Sequence, residues 1–279
     1  MTEGNCLDIL YSTNKGILKM KKIIVGSIIS AVFVTQVLAA DKAEVAKKLA
    51  NPVAAMISVP IQVNYHQNIG INDEGNKWTT NIQPVVPMDI SEDWNLISRT
   101  IIPIISHDTG GPAGTLNGLG DIIQSAWFSP KTPTDSGWIW GAGAAFLIPT
   151  GSDLSAEKWG VGPTALALKQ TGHWSYGGLV NHIWSTGGSG NEDLSLTFVQ
   201  PFLTYITDDA VTFALNTEST YNWKTEDWTV PLNLMVTKVT KIGGQLISYG
   251  GGVNYHVSAP DNAPEGWGAR FLLTFIFPK

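Results

Sequence analysis

From Ile57 onward the chain alternates apolar and polar side chains with a period of two, the repeat of a half-buried β-strand. Ile57, Val59, Ile61, Val63 and Tyr65 alternate with Ser58, Pro60, Gln62, Asn64 and His66. The same rhythm predicts further strands over 78–86, 94–105, 119–129, 138–149, 159–169, 174–184, 194–205, 211–221, 228–239, 245–257 and 266–277. In the tenth, Trp228, Val230, Leu232, Leu234 and Val236 oppose Thr229, Pro231, Asn233, Met235 and Thr237. The last strand carries Trp267, Ala269, Phe271, Leu273, Phe275 and Phe277 on one face, and Gly268, Arg270, Leu272, Thr274 and Ile276 on the other. An aromatic-rich apolar face opposite a mixed face with a charge fits either a wall between lipid and a polar interior or the closing strand of a soluble sandwich.

Three features of the whole chain separate those alternatives. The strand count is twelve, an even number. Connections at 70–77, 106–118, 150–158, 185–193, 222–227 and 258–265 are mostly longer and rich in Gly, Asp and Glu, whereas the others, such as 170–173, 206–210 and 240–244, tend to be short turns, with 87–93 and 130–137 as exceptions. Long loops at one end and short turns at the other are the habit of an up-and-down outer-membrane barrel. Trp94, Trp127, Trp138 and Trp174 fall at one set of strand ends, and Trp78, Trp159, Trp184, Trp228 and Trp267 at the other, as two interfacial aromatic girdles require. The expected fold is therefore all-β, a transmembrane antiparallel up-and-down β-barrel of about twelve strands. Pro60, Pro84, Pro103, Pro163, Pro201 and Pro231 conflict with it, because a barrel has no edge strand to shelter a missing N–H.

Charged residues make up 14% of the chain, against about 25% in soluble domains, while Gly (29) and Trp (11) are plentiful. A large surface that charge does not solvate accounts for this. Met20-Lys21-Lys22, the apolar run Ile23 to Val34 and Val37-Leu38-Ala39 form a secretory signal over 20–40, cut after Ala39 or Ala40. Residues 1–19 then read as a mis-assigned start or an extended basic region. The only cysteine, Cys6, lies upstream of the cut, which excludes disulfides, thiolate metal sites and a lipidated N-terminal cysteine from the mature chain. Its formal charge, thirteen basic against twenty-one acidic residues, argues against nucleic acid as a partner. Residues 41–55 form a short helix and linker before the barrel at 56–279: Val45 and Leu49 share a helical face, Glu44 and Lys48 can pair, and Asn51-Pro52 ends the helix. At that length an ordered helix needs an external support, the nearest being the mouth of the barrel; the alternative is a mobile terminal tail.

Several blocks carry a family resemblance: Asn81-Ile-Gln-Pro-Val-Val-Pro, Glu92-Asp-Trp-Asn-Leu-Ile-Ser-Arg-Thr-Ile-Ile-Pro, Gly118-Leu-Gly-Asp, Phe128-Ser-Pro-Lys, Glu157-Lys-Trp-Gly-Val-Gly-Pro-Thr, Asn181-His-Ile-Trp-Ser and Gln200-Pro-Phe-Leu. In this order, over residues 48 to 277, they resemble the bacterial outer-membrane family labelled "MetA pathway of phenol degradation" or simply "transporter". The resemblance implies an outer-membrane β-barrel of a Gram-negative bacterium, porin-like, with a transport role for small solutes, hydrophobic or aromatic compounds among them. Its implied partners are outer-membrane lipid, a small-molecule solute and, through the C-terminal strand, the barrel-assembly machinery. It brings no catalytic residue and no cofactor. In one respect the chain departs from barrel habit: Pro278-Lys279 follow the terminal aromatic Phe277.

Candidate enzyme motifs are weak. Asp108-Thr109-Gly110 and Asp135-Ser136-Gly137 imitate the paired carboxylates of aspartic proteases, yet fall at opposite ends of the barrel and read as turns. Gly187-Gly188-Ser189-Gly190-Asn191 lacks the last Gly of a nucleophile elbow. His66, His107, His173, His182 and His256 show no metal-binding spacing. More telling are polar residues that share phase with the inward face: Gln62, Asn64, Asn81, Gln83, Arg99, Asp121, Asn216, Glu218, Asn233, Asn254 and Arg270. Charges of both signs inside a barrel can line a pore, or pair across the lumen and hold it shut. Three functions stay open: a solute channel, a lipid hydrolase with a spatially assembled Ser-His pair, and a structural barrel without a pore.

Overall fold

The computed structural model describes residues 42–70, 72–112, 114–261 and 263–277. The signal segment 20–40, residues 1–19 and Pro278-Lys279 lie outside them. Helix α1 (42–49) leads into fifteen strand segments: β1 (Ile57–Ile69), β2 (Gly75–Ile82), β3 (Val85–Asp89), β4 (Trp94–Asp108), β5 (Thr115–Leu119), β6 (Ile122–Pro130), β7 (Trp138–Ile148), β8 (Lys158–Thr171), β9 (Trp174–Gly188), β10 (Ser195–Ile206), β11 (Val211–Thr217), β12 (Ser219–Asn222), β13 (Asp227–Ile242), β14 (Gln245–Ser258) and β15 (Gly266–Phe277). All pairings are antiparallel. The seam closes where β1 pairs with β15, from Ile57 opposite Phe277 to Tyr65 opposite Ala269. Three barrel strands are each interrupted once, so β2–β3, β5–β6 and β11–β12 count as one apiece and the ring has twelve strands.

Those interruptions account for the prolines. A proline offers no N–H to the ladder, so it fits only where the partner strand asks for none. Pro84 sits in the gap between β2 and β3; Pro60 lies across from that gap and its carbonyl accepts the Gln83 N–H at 2.8 Å. Pro103 faces the gap between β5 and β6 and accepts from Gly120 N–H at 2.9 Å. Here three residues, Gly120 to Ile122, oppose two on β4, a β-bulge that exchanges the faces of the strand. Pro201 lies across from Thr217 where the β10 ladder lapses between its pairings with β11 and β12, Pro231 stands at a register shift between β13 and β14, and Pro163 falls where the β8–β9 pairing lapses between Val161 and Thr164.

Alternation then sorts the side chains. On β13, Leu232, Leu234 and Val236 point outward and are exposed, whereas Asn233 and Met235 point inward and are buried. The outer surface is apolar between two aromatic rings. Near α1, Trp94 meets Trp140, Trp138 meets Tyr176 and Trp174 meets Tyr205; at the far end Tyr65 meets Trp78, Tyr221 meets Trp228 and Tyr255 meets Trp267. Trp127 does not belong to either ring. It is 1% exposed and turned inward, where its indole N–H donates to Thr164 Oγ1 at 3.1 Å amid Val53, Ile97, Leu166 and Leu168. The bulge upstream sets its phase, so strand-end position alone misplaces it.

Helix α1 is held inside the adjacent mouth. Val45 and Ala46 are buried against Met56, Ile206, Ala210, Val239 and Ile276, and Gln170 Nε2 donates to the Lys47 carbonyl at 2.9 Å. Glu44 and Lys48 pair at 3.1 Å on its exposed side. Asn51 turns the chain into β1, its side-chain oxygen accepting from Val53 N–H at 3.0 Å.

The face assignment makes a quantitative prediction. Leu234 is 53% exposed near the middle of β13, so in lipid Leu234→Arg should cost about 2–4 kcal/mol in reversible unfolding. Thr237→Arg, on the inward face beside open lumen, should cost far less. Equal costs would mean that the two faces are misassigned.

Candidate functional site

The lumen encloses a cavity of about 550 Å³ between α1 and a belt of charged side chains. Of the eleven inward polar candidates, Gln62, Asn81, Gln83, Arg99, Asp121, Asn216, Glu218 and Arg270 line it. The other three lie beside it. Asn64 accepts from Arg270 Nε at 2.6 Å, Asn233 (1% exposed) donates to Asn216 Oδ1 at 2.8 Å, and Asn254 is buried on β14 across from Gly268. A Cβ at position 268 would run into the Asn254 side chain and the Tyr65 carbonyl, so glycine there leaves room for the amide.

The belt is organised by one ion pair. Arg270, 6% exposed, lays its guanidinium flat on Glu218, with Nη1 on Oε1 and Nη2 on Oε2, both at 2.8 Å. A two-pronged pair of this kind fixes direction as well as charge. Glu218 occupies the interruption between β11 and β12. Arg99, on β4, reaches Gln83 Oε1 at 2.8 Å, and Gln83 occupies the interruption between β2 and β3. Six steps round the twelve-strand ring separate Arg99 from Glu218, so the two stand on opposite walls, yet they act on one another electrostatically. The belt thus crosses the lumen.

Asp121 does different work. At the bulge between β5 and β6 its carboxylate accepts from the Ser155 hydroxyl and, at 2.8 Å, from the Ala156 N–H. It thereby ties the loop 149–157 to the inner wall, aided by Thr150 and Ser152 hydroxyls donating to the Leu119 carbonyl. Toward the same end His66 and His256 meet edge to face at 5.0 Å. Both ring nitrogens of His256 and both polar atoms of Asn254 are buried without a protein hydrogen-bond partner among the described residues.

Across from Arg99, next to Glu218, the wall also carries apolar side chains, interleaved with Gln200 and Thr204. Leu179 on β9 and Phe198 and Phe202 on β10 line the cavity, with Leu49, Ala50 and Ala54 below them. Sequence phase did not single these out, since an apolar side chain looks the same in the pattern whether it faces lipid or lumen. The turn readings agree with the structure: Asp108 accepts from Gly110 N–H at 3.1 Å, and Ser189 donates to Glu157 at 2.9 Å. His182 shares the outward phase of Val180 and Trp184; its Nε2 lies 3.3 Å from Ser195 Oγ and its Nδ1 2.7 Å from Thr197 Oγ1. That Ser-His contact has a hydroxyl where a triad holds its imidazole with a carboxylate. Among the described residues no three His, Cys, Asp or Glu side chains gather as a metal site.

No family model matches the chain, and no curated protein matches it in sequence. The phenol-degradation resemblance therefore rests on the quoted blocks alone. Among solved structures the fold is similar to an outer-membrane channel from Pseudomonas putida F1, with a TM-score of 0.65 and 14% identity over 80% of this chain and 96% of that one. It is also similar to the NanC porin, with a TM-score of 0.50 and 13% identity over 79% of this chain and 99% of that one. At such identities the likeness is one of fold.

Glu218→Gln would strip the carboxylate from a guanidinium that is almost wholly buried. The variant should unfold more easily by about 3 kcal/mol in urea titrations, the penalty for stranding a buried charge. Unchanged stability would show that lumen water satisfies Arg270 as well as Glu218 does.

Proposed function

We propose that this protein is an outer-membrane channel of a Gram-negative bacterium for small solutes, hydrophobic or aromatic ones among them. In this reading the signal at 20–40 exports the chain, the barrel-assembly machinery inserts it through β15, and α1 faces the periplasm. The observation that carries it is the cavity of about 550 Å³ inside a closed barrel with an apolar exterior. A purely structural barrel has no reason to keep such a volume open, because interiors pack without voids much larger than a water molecule. The fold shared with an outer-membrane channel and a porin supports the same reading. A lipid hydrolase draws on the outward Ser195–His182 contact but lacks the carboxylate behind the imidazole.

Helix α1 then stands in the path, since Leu49 and Ala50 line the cavity. Deleting residues 41–50 while keeping the signal should raise single-channel conductance in planar bilayers without changing the β-sheet spectrum. Unchanged conductance in a folded deletion would remove the helix from the path. If the intact protein is silent but turns over phospholipid, it is a hydrolase; if silent in both assays, it is a structural barrel.

A further inference from the structure

The charges around the cavity do not balance locally. Glu218 commits both carboxylate oxygens to Arg270, and Asp121 commits both of its own to Ser155 and Ala156. Arg99 is left with a neutral amide: among the described residues its side chain hydrogen-bonds Gln83 and has no carboxylate within ion-pair distance. A guanidinium offers five donors in a planar fork matched to a carboxylate; Arg99 is half-buried, lines the cavity and has Glu218 only on the opposite wall. Across the cavity from it stand Leu179, Phe198 and Phe202, with Gln200 between the two phenylalanines, and their apolar surface suits an apolar body. Arg99 is on β4 and Phe198 and Phe202 are on β10, five strands away round the ring, so the charged and apolar walls face each other.

We infer that the lumen binds small amphiphilic monocarboxylates, with the carboxylate on Arg99 and the hydrocarbon or aromatic body against Phe198, Phe202 and Leu179. The volume of about 550 Å³ falls within the range of roughly 300–1,000 Å³ for small-molecule sites. Both walls are built on strands, so the site is formed before the ligand arrives. Glu218 does not repel the head group because Arg270 already neutralises it. A neutral ligand of the same shape forfeits the charge-assisted bonds, and a cationic one meets Arg99 unfavourably. This inference deepens the channel reading and rests on it for the ligand's route, but binding itself can be measured without any current.

The test is calorimetric titration of the full barrel in lipid nanodiscs with benzoate, benzamide and benzylammonium, which share a ring and differ in charge. Benzoate should bind at least tenfold more tightly than the other two. Arg99→Gln should abolish that preference, Arg99→Lys should keep part of it, and a Phe198→Ala, Phe202→Ala double variant should weaken all three ligands. Equal binding of the three by the unmodified protein, or a benzoate preference that survives Arg99→Gln, would overturn the inference. Should the variants not fold, the head-group comparison on the unmodified protein decides. Preference for benzoate with silent bilayers would keep the site and defeat the channel, whereas conductance without preference would do the reverse.

Discussion

In hydrocarbon no water is available to a stray N–H or C=O, and each unmet group costs several kcal/mol. Every other feature follows from that constraint. It requires the seam between β1 and β15, with Ile57 at one end of the chain's sheet meeting Phe277 at the other. It also decides where six prolines can stand. Each lies at or across from a place where the ladder is already broken, and the breaks fall beside polar lumen residues: Gln83, Asp121 and Glu218. The same irregularities that spare the prolines thus release side chains from the strict pleat and let them reach into the lumen.

What they reach for is each other. Glu218 meets Arg270, Gln83 meets Arg99, and Asp121 takes hold of the loop 149–157. The lumen is therefore crossed by a belt of charge-assisted bonds above the hydrocarbon packing of α1 in the mouth. Below it the apolar wall of β9 and β10 and the docked α1 give the cavity its second character. The cavity thus presents oil on one side and a guanidinium on the other.

Much of this was legible in the sequence. Twelve strands, their alternation, the girdle tryptophans apart from Trp127, and the support of α1 by the mouth all follow from period two, loop length and Val45 with Leu49. The inward phase placed Arg99, Glu218 and Arg270 on the same side of the wall, but phase carries no angular information, so the pairing of Glu218 with Arg270, which leaves Arg99 to Gln83, was out of reach. Trp127 was misread because a strand end is not a face, and the bulge at Gly120–Ile122 resets which face is which. Phe198 and Phe202 were missed for a related reason: lipid and an apolar lumen impose the same preference. The Ser155 and Ala156 contacts to Asp121 come from an irregular loop, for which no periodic signal exists.

The central claim is that solutes travel through the lumen past this belt. Cys6 is the chain's only cysteine, so single thiols can be placed on either face in a Cys6→Ser background. Single-channel current should fall when a charged methanethiosulfonate reagent modifies Gln62→Cys, whose side chain lines the cavity, and should not change for Leu234→Cys, which faces outward. Modification of Gln62→Cys that leaves the current intact, or block through Leu234→Cys, would contradict the account.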